Sequence, residues 1–142
     1  NEKIGLIESI PVIIDYAHHP TEIKNFLSGL SLEFSNPLVI FQPHTYTRTR
    51  ELFEDFVSVL STCQHLILYP TYSAREKEII GGRSEDLFDN LNCMFISSFP
   101  LLIYQIKKLL SQNSFDCICI LGAGDLALQF KDFINKNIKK CK

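Results

Sequence analysis

The sequence predicts an α/β fold: an open, mostly parallel, Rossmann-like sheet with helices on both of its faces. Two observations favour this class. Short apolar runs without polar alternation recur along the 142 residues, as is typical of strands buried on both sides. Segments with helical periodicity lie between them, and this alternation favours right-handed crossovers between parallel strands. We therefore expect residues 1–142 to form a single domain.

Five apolar runs are the predicted buried strands. Each run is too short for a helix and is rich in β-branched or aromatic residues, which favour strands. The runs comprise residues 12–14, 38–41, 66–68, 94–96 and 117–121. Residues 3–9 are a further candidate, for a strand at the edge of the sheet.

Four segments carry apolar residues at helical spacing. In the first, Ile23, Phe26, Leu27 and Leu30 fall at positions i, i+3, i+4 and i+7, so they form one stripe along a helix. Similar stripes occupy residues 52–60, 102–110 and 126–134, and residues 84–91 are a shorter candidate. Strands and helices therefore alternate along the chain without a linker or a repeat.

The composition is that of a globular protein with little excess charge. Hydrophobic residues make up 46%, charged residues 21%, and the formal net charge is −2. We therefore expect neither disorder nor a nucleic-acid partner. No apolar run approaches the ~20 residues of a membrane helix, and no signal peptide opens the chain, so no membrane partner is expected. The start at Asn1 rather than Met suggests a fragment of a longer protein.

The cysteines and the basic end of the chain indicate no special chemistry. The odd number of cysteines and the lack of a C-x-x-C pair argue against a disulfide framework, so we expect a reducing, cytoplasmic compartment. The five cysteines are Cys63, Cys93, Cys117, Cys119 and Cys141. The closing lysines are interpreted as a solvated helix end whose charges complement the helix dipole; they are Lys136, Lys139, Lys140 and Lys142.

Polar segments follow four of the predicted strands. In an open α/β sheet ligands bind outside the carboxyl ends of the strands. These segments should therefore meet at one edge of the sheet, which we call the rim, and form a site there. They are DYAHHPTE at residues 15–22, QPHTYTRTR at residues 42–50, YPTYSAREK at residues 69–77 and GAGD at residues 122–125.

The first two segments hold the candidate binding residues, each with a plainer interpretation. Asp15 could simply accept a nearby backbone hydrogen bond, and His19 could simply cap the helix that follows. Arg48 lies near the start of a predicted helix, where a cation opposes the helix dipole, so an anion such as a carboxylate or phosphate better explains its presence. Arg50 is interpreted as a solvated surface charge.

Two sharper interpretations of the rim are disfavoured. Residues 122–127 fit the dinucleotide motif G-x-G-x-x-A, but only one helix follows, so no second strand can supply the ribose contact. A metal site is also disfavoured, because the chain has no H-E-x-x-H motif and no pair of histidines four positions apart. Its candidate ligands would be Asp15, His18, His19, His44 and His65.

The rim segments resemble the signatures of the C-terminal domain of the Mur ligase family, specifically of its L-alanine-adding branch, the UDP-N-acetylmuramate–L-alanine ligases. The matching segments are DYAHHPTE at residues 15–22, QPHTYTRT at residues 42–49, YSAREK at residues 72–77 and LGAGD at residues 121–125. Their order and approximate spacing also match, and the resemblance covers essentially the whole chain.

The resemblance implies the last domain of a three-domain ligase, beside a UDP-sugar domain and a central ATPase domain. ATP, with Mg²⁺ on its phosphates, would phosphorylate the carboxylate of UDP-N-acetylmuramate, and L-alanine would attack the acyl phosphate. Asp15 and Tyr16 would face the nucleotide or the reacting centre. Tyr16, His18, His44 and Arg48 would lie on the alanine side, with Arg48 pairing the alanine carboxylate; no residue is assigned a certain catalytic role.

Several features separate this chain from a complete ligase. It has no G-x-x-x-x-G-K-[ST] loop, so ATP and Mg²⁺ should be held mainly by the missing central domain, and the chain alone should be inactive. Thr45 replaces an arginine of many members, and Ile14 replaces an acidic residue. Two alternatives stay open: the related ligase that adds a recycled murein tripeptide, although Tyr16 favours alanine, or a free-standing nucleotide-binding or protein-binding module.

Overall fold

The chain forms a mixed six-stranded sheet in a computed structural model that describes residues 1–140, with side chains up to Ile138. The strands are β1 (Glu2–Ile7), β2 (Ile10–Asp15), β3 (Pro37–Phe41), β4 (Leu66–Leu68), β5 (Met94–Phe95) and β6 (Cys117–Leu121). Their order across the sheet is β1-β2-β6-β3-β4-β5. The predicted α/β class and its strands are confirmed.

The edge strand β1 is the antiparallel member of the sheet. It pairs with β2 through a hairpin whose two turn residues, Glu8 and Ser9, have φ of 50° and 71°. Positive φ at both positions is the geometry whose twist matches that of two antiparallel strands. The other neighbouring strands are parallel, and β6 lies in register between β2 and β3.

Six helices accompany the strands in the described part of the chain. They are α1 (Pro20–Glu33), α2 (Tyr46–Glu51), α3 (Phe53–Leu60), α4 (Ser84–Phe88), α5 (Phe99–Gln112) and α6 (Leu126–Lys140). Except for Leu52, the predicted stripe at residues 52–60 lies in α3. The shorter helix α2 precedes it because the backbone leaves the helical region at Leu52, where φ is −108° and ψ is 24°.

Two separate apolar layers cover the two faces of the sheet, as predicted. Side chains alternate along each strand, so β6 sends Ile118 and Ile120 to one layer and Cys117, Cys119 and Leu121 to the other. The first layer packs against α5 and α6. The second packs against α1, α3 and α4.

The described cysteines are free thiols that serve packing. Burial raises the pKa of Cys63 and of Cys93 to about 11, and burial above all raises the pKa of Cys117 to about 12. Cys141 and Lys142 lie outside the described residues, as do the side chains of Lys139 and Lys140. Within residues 1–140, no helix has the length and apolar character needed to cross a membrane.

The strand order places the polar segments side by side. The four strands that they follow, β2, β6, β3 and β4, are consecutive neighbours in the sheet and run parallel. Their carboxyl ends therefore meet at one edge of the sheet, the predicted rim.

Candidate functional site at the carboxyl edge of the sheet

The segment after β2 is shaped by its own hydrogen bonds. The Ala17 N–H donates to Asp15 Oδ1 at 2.9 Å, and the Thr21 N–H donates to His19 Nδ1 at 3.2 Å. Glu22 completes a capping box by accepting from the His19 N–H at 3.1 Å. Asp15 and His19 thus make the local contacts that their plainer interpretations predicted, and these bonds fix the backbone on both sides of His18.

His18 is oriented by the backbone of its own loop. Its Nδ1 lies 3.0 Å from the carbonyl oxygen of Tyr16 and 3.7 Å from Glu22 Oε1. A carbonyl oxygen only accepts, so Nδ1 carries the hydrogen in this bond. The second ring nitrogen, Nε2, is left for another partner.

His44 and Arg48 form the central contact of the rim. Arg48 Nη1 donates to His44 Nδ1 at 3.1 Å, and because a guanidinium only donates, the hydrogen of the His44 ring lies on Nε2. Burial lowers the pKa of His44 below its usual value, the charges of Arg48 and His18 lower it further, and Glu76 opposes them. His44 is therefore a neutral imidazole at neutral pH.

The structure brings three rim loops together around His44. Its ring lies 5.7 Å from the His18 ring and 5.4 Å from the Tyr72 ring, on which it stacks at 27°. We call His18, His44 and Arg48 the His–Arg cluster. It presents a guanidinium with unused N–H groups beside two imidazoles, a set suited to a small anion or a zwitterion.

Glu76 occupies the start of α2. Its Oε1 accepts from the N–H groups of Tyr46 at 2.7 Å and Thr47 at 3.2 Å, and its Oε2 accepts from the Thr47 hydroxyl at 2.7 Å. These bonds, the hydroxyl bond above all, hold the pKa of Glu76 below its usual value. The sequence led us to expect a ligand anion near Arg48; the anion at this helix start is the protein's own carboxylate.

Gln42 is a buried polar link that the sequence did not identify. Its Nε2 donates to the Pro70 carbonyl oxygen at 3.2 Å and to Asp125 Oδ1 at 3.1 Å, and its Oε1 accepts from the Leu126 N–H at 3.2 Å. The side chain is 3% exposed. A polar residue directly after a fully apolar strand was the available signal.

The glycines of the segment at residues 122–125 serve close packing. A Cβ on Gly124 would lie 2.4 Å from Gln42 Oε1 and 2.7 Å from Tyr72 Cβ. Gly122 has a φ of 137°, and a Cβ there would lie 2.5 Å from the Gln42 carbonyl oxygen. Both glycines therefore face Gln42, and Gly124 also faces Tyr72, so close packing explains them without a dinucleotide.

Tyr16 and Asp15 lie on the β1 side of the rim. Tyr16 is half-exposed, and its phenol oxygen accepts from Lys131 Nζ at 3.4 Å. Lys131, which the sequence did not single out, also lies 3.4 Å from Glu2. The second Asp15 oxygen, Oδ2, lies 2.8 Å from the Asn1 nitrogen. The nucleotide-facing roles of Asp15 and Tyr16 stay predictions.

The weighed metal ligands do not gather at one point. His65 lies before β4, at the opposite end of that strand from the rim, and its ring meets Phe115 edge-on at 4.8 Å. The Nδ1 of His19 is engaged in the helix cap. Within residues 1–140, no group of three or more His, Cys, Asp or Glu side chains is arranged to hold a metal ion.

Comparison with known proteins identifies the family to which this chain is similar. The family described as "Mur ligase, glutamate ligase domain" matches residues 2–124. The UDP-N-acetylmuramate–L-alanine ligase of Francisella philomiragia is 42% identical over 120 residues, 82% of this chain and 26% of that protein. The ligase of the same name from Caldicellulosiruptor saccharolyticus is 39% identical over 131 residues, 88% of this chain and 28% of that protein.

A solved structure shares the fold. The murein peptide ligase of Psychrobacter arcticus aligns with a TM-score of 0.63 and 19% identity, over 97% of this chain and 28% of that one. The chain thus spans about a quarter of the length of the relatives it matches. On the family match over residues 2–124, the chain belongs to the Mur ligase family, as its glutamate ligase domain.

Proposed function

We propose that this chain is the C-terminal domain of a longer, three-domain ligase that joins L-alanine to UDP-N-acetylmuramate at the expense of ATP. The relatives that are 42% and 39% identical are named UDP-N-acetylmuramate–L-alanine ligases. The observation that carries the proposal is the His–Arg cluster, in which two loops distant in sequence place His18, His44 and Arg48 together at the rim. The compartment expected for such an enzyme is the bacterial cytoplasm.

The cluster offers a complementary partner for each end of an amino acid. Arg48 uses one N–H on His44 and retains others in its planar fork, which matches a carboxylate. His44 Nε2–H is a further donor, whereas His18 Nε2 is the ring nitrogen that faces away from the Tyr16 carbonyl. Arg48 and His44 would hold the alanine carboxylate, and His18 would accept a hydrogen bond from its amino group.

In the reaction, ATP transfers its γ-phosphoryl group to the muramoyl carboxylate, giving ADP and an acyl phosphate. The alanine nitrogen then attacks the acyl carbon, the bond from that carbon to the phosphate oxygen breaks, and the nitrogen loses a proton. Inorganic phosphate and the amide are the products. This chain's contribution is to orient the amine, which lowers the entropic part of the barrier.

The nucleotide and Mg²⁺ would be bound mainly by the central domain. The sequence has no G-x-x-x-x-G-K-[ST] motif, the loop that cradles ATP phosphates. Asp15 and Tyr16 would add contacts to the nucleotide or the reacting centre when the domains close. The chain alone should therefore release no phosphate from ATP.

The test uses the complete protein that contains this chain, with UDP-N-acetylmuramate, ATP and Mg²⁺. Phosphate release that depends on L-alanine would support the proposal. Release that depends instead on a murein tripeptide would assign the chain to the tripeptide-adding ligases. Release with neither, from a gene that encodes no ATPase domain, would indicate a free-standing binding module.

The matched variants are Arg48→Ala and Arg50→Ala, two arginines of the same short helix. Arg48 touches His44, whereas Arg50 is exposed. Loss of a charged contact to the alanine carboxylate should raise the KM for L-alanine roughly tenfold to a hundredfold in Arg48→Ala. Arg50→Ala should stay within about twofold of wild type. An unchanged KM in Arg48→Ala would contradict the proposed alanine site.

A further inference from the structure

The helix that carries Arg48 is too short to hold its own position. α2 has six residues, and isolated helices need about twice that length even for marginal stability. Its first N–H groups also lack partners within the helix. The placement of Arg48 must therefore come from contacts outside α2.

Residues outside α2 accept hydrogen bonds from each of its first four N–H groups. The Tyr46 and Thr47 N–H groups donate to Glu76 at 2.7 and 3.2 Å. The Arg48 N–H donates to Thr45 Oγ1 at 3.3 Å, and the Thr49 N–H donates to the Thr45 carbonyl oxygen at 3.4 Å. Glu76 thus supplies the acceptor for the first two groups, and Thr45 for the next two.

Thr45 reaches this position at a conformational cost. Its φ of 68° and ψ of 143° lie outside the regions that β-branched residues normally adopt. The Thr45 N–H donates to the Tyr72 carbonyl oxygen at 2.8 Å, and the Tyr72 N–H donates to the Pro43 carbonyl oxygen at 2.8 Å. The loop that carries Glu76 therefore also holds Thr45 in place.

The same stretch of chain contacts the start of α2 a second time, at Gly82. A Cβ on Gly82 would lie 2.2 Å from the Tyr46 carbonyl oxygen, so the chain passes in contact with the first turn of α2. Glu76 directs its oxygens to Tyr46 and Thr47. The Arg48 guanidinium is thereby left to His44 and to a ligand.

We propose that Glu76 is a positioning residue, whose carboxylate fixes the first turn of α2 and so holds the Arg48 guanidinium against His44. The consequence for L-alanine binding rests on the proposed function. The effect on the Arg48–His44 contact does not rest on the proposed function, so the positioning role of Glu76 and the proposed alanine site can be refuted separately.

Three Glu76 variants and one control separate the hydrogen bonds that the carboxylate accepts from its charge. Glu76→Gln loses the charge but keeps a carbonyl oxygen for the Tyr46 and Thr47 N–H groups, whereas Glu76→Ala loses both. Glu78→Ala is the control, because Glu78 lies in the same loop, is exposed, and contacts Arg83 at 3.8 Å. Glu76→Asp keeps the charge but is too short to reach, and it serves as a second test if Glu76→Ala does not fold.

The first measurement is an NMR titration of His44 in the 142-residue chain. Glu76→Ala and Glu76→Gln both lack the charge, so a difference between them reports the anchor alone. Release of Arg48 hydrates His44 and removes a neighbouring cation, so the pKa of His44 should be higher in Glu76→Ala than in Glu76→Gln, by about 0.5 or more. Glu76→Asp should likewise exceed wild type. Equal values within each pair would overturn the proposal, because a general loss of stability does not move this pKa.

The second measurement is the KM for L-alanine in the complete ligase. We expect an increase of about tenfold in Glu76→Ala, substantial recovery in Glu76→Gln, a wild-type value in Glu78→Ala, and a KM for ATP within about twofold throughout. A normal KM in Glu76→Ala beside a raised KM in Arg48→Ala would overturn the positioning role. A normal KM in Arg48→Ala would instead remove the alanine site, and the His44 titration alone would then decide on Glu76.

Discussion

Replacing Gln42 by leucine should expose how strongly the rim depends on one buried amide. Leucine has a similar volume but no polar atom, so it removes the donor to Pro70 and Asp125 and the acceptor for the Leu126 N–H. Leu126 begins α6 and is 2% exposed, so water does not readily replace that acceptor. Asp125 is exposed and can be solvated.

The expected magnitude follows from these three contacts. An unsatisfied buried N–H costs about 1–3 kcal/mol, and the two lost donor contacts add about 1 kcal/mol each. Burying a leucine in place of an amide returns roughly 1–2 kcal/mol. The free energy of unfolding should fall by about 2–3 kcal/mol, which corresponds to a melting temperature lower by roughly 6–12 °C for a protein of this size.

Urea unfolding followed by circular dichroism measures this free energy. The control is Gln129→Leu, since Gln129 is half-buried and makes only two long contacts, at 3.5 Å each, to Asp125 and to the Tyr69 hydroxyl. We expect the control to stay within about 0.5 kcal/mol of wild type. If the free energy of unfolding also falls by less than about 0.5 kcal/mol in Gln42→Leu, the hydrogen bonds of this amide do not stabilise the contacts between the rim loops.

Two further predictions concern the same rim. Gly124→Ala should lower the free energy of unfolding by about 1–3 kcal/mol in the same urea assay, because its Cβ would lie 2.4 Å from Gln42 Oε1. The control is Gly29→Ala in α1, where a Cβ would have no neighbour within 4 Å, and it should raise the free energy of unfolding by about 0.5–1 kcal/mol. The lowered pKa of His44 contributes stability that is present above its usual pKa of 6.5 and is lost as the pH falls through the lower folded value. The free energy of unfolding should therefore drop less between about pH 7.5 and about pH 5.5 in His44→Gln than in wild type, and an equal drop would contradict the lowered pKa.

Local patterns were sufficient to predict the elements of the fold but not how the strands pair. The apolar runs marked the strands because both faces of a parallel sheet are buried. Nothing local specifies that the last strand, β6, inserts between β2 and β3, since that choice depends on contacts such as Val12 with Ile118 and Val39 with Cys119. The helix break at Leu52 was also missed, because an apolar stripe reports spacing rather than backbone direction.

The site divides in the same way. His18, His44 and Arg48 were expected at one rim because each follows a strand end, and the structure does bring them together. Glu76, Gln42 and Lys131 were not assigned contacts, because their partners lie 30, 84 and 115 positions away in the chain. Sequence patterns thus identified the residues at the surface of the site but not the residues that orient them.

The separation of the apolar side chains into two layers has a consequence for mutagenesis. Phe56 on α3 and Leu102 on α5 belong to different layers, with the sheet between them. Truncations at these two positions share no packing partner, so their destabilising effects should be additive to within about 0.5 kcal/mol. Substitutions under α5 and α6 can therefore be combined with substitutions under α1 and α3 without cooperative penalties.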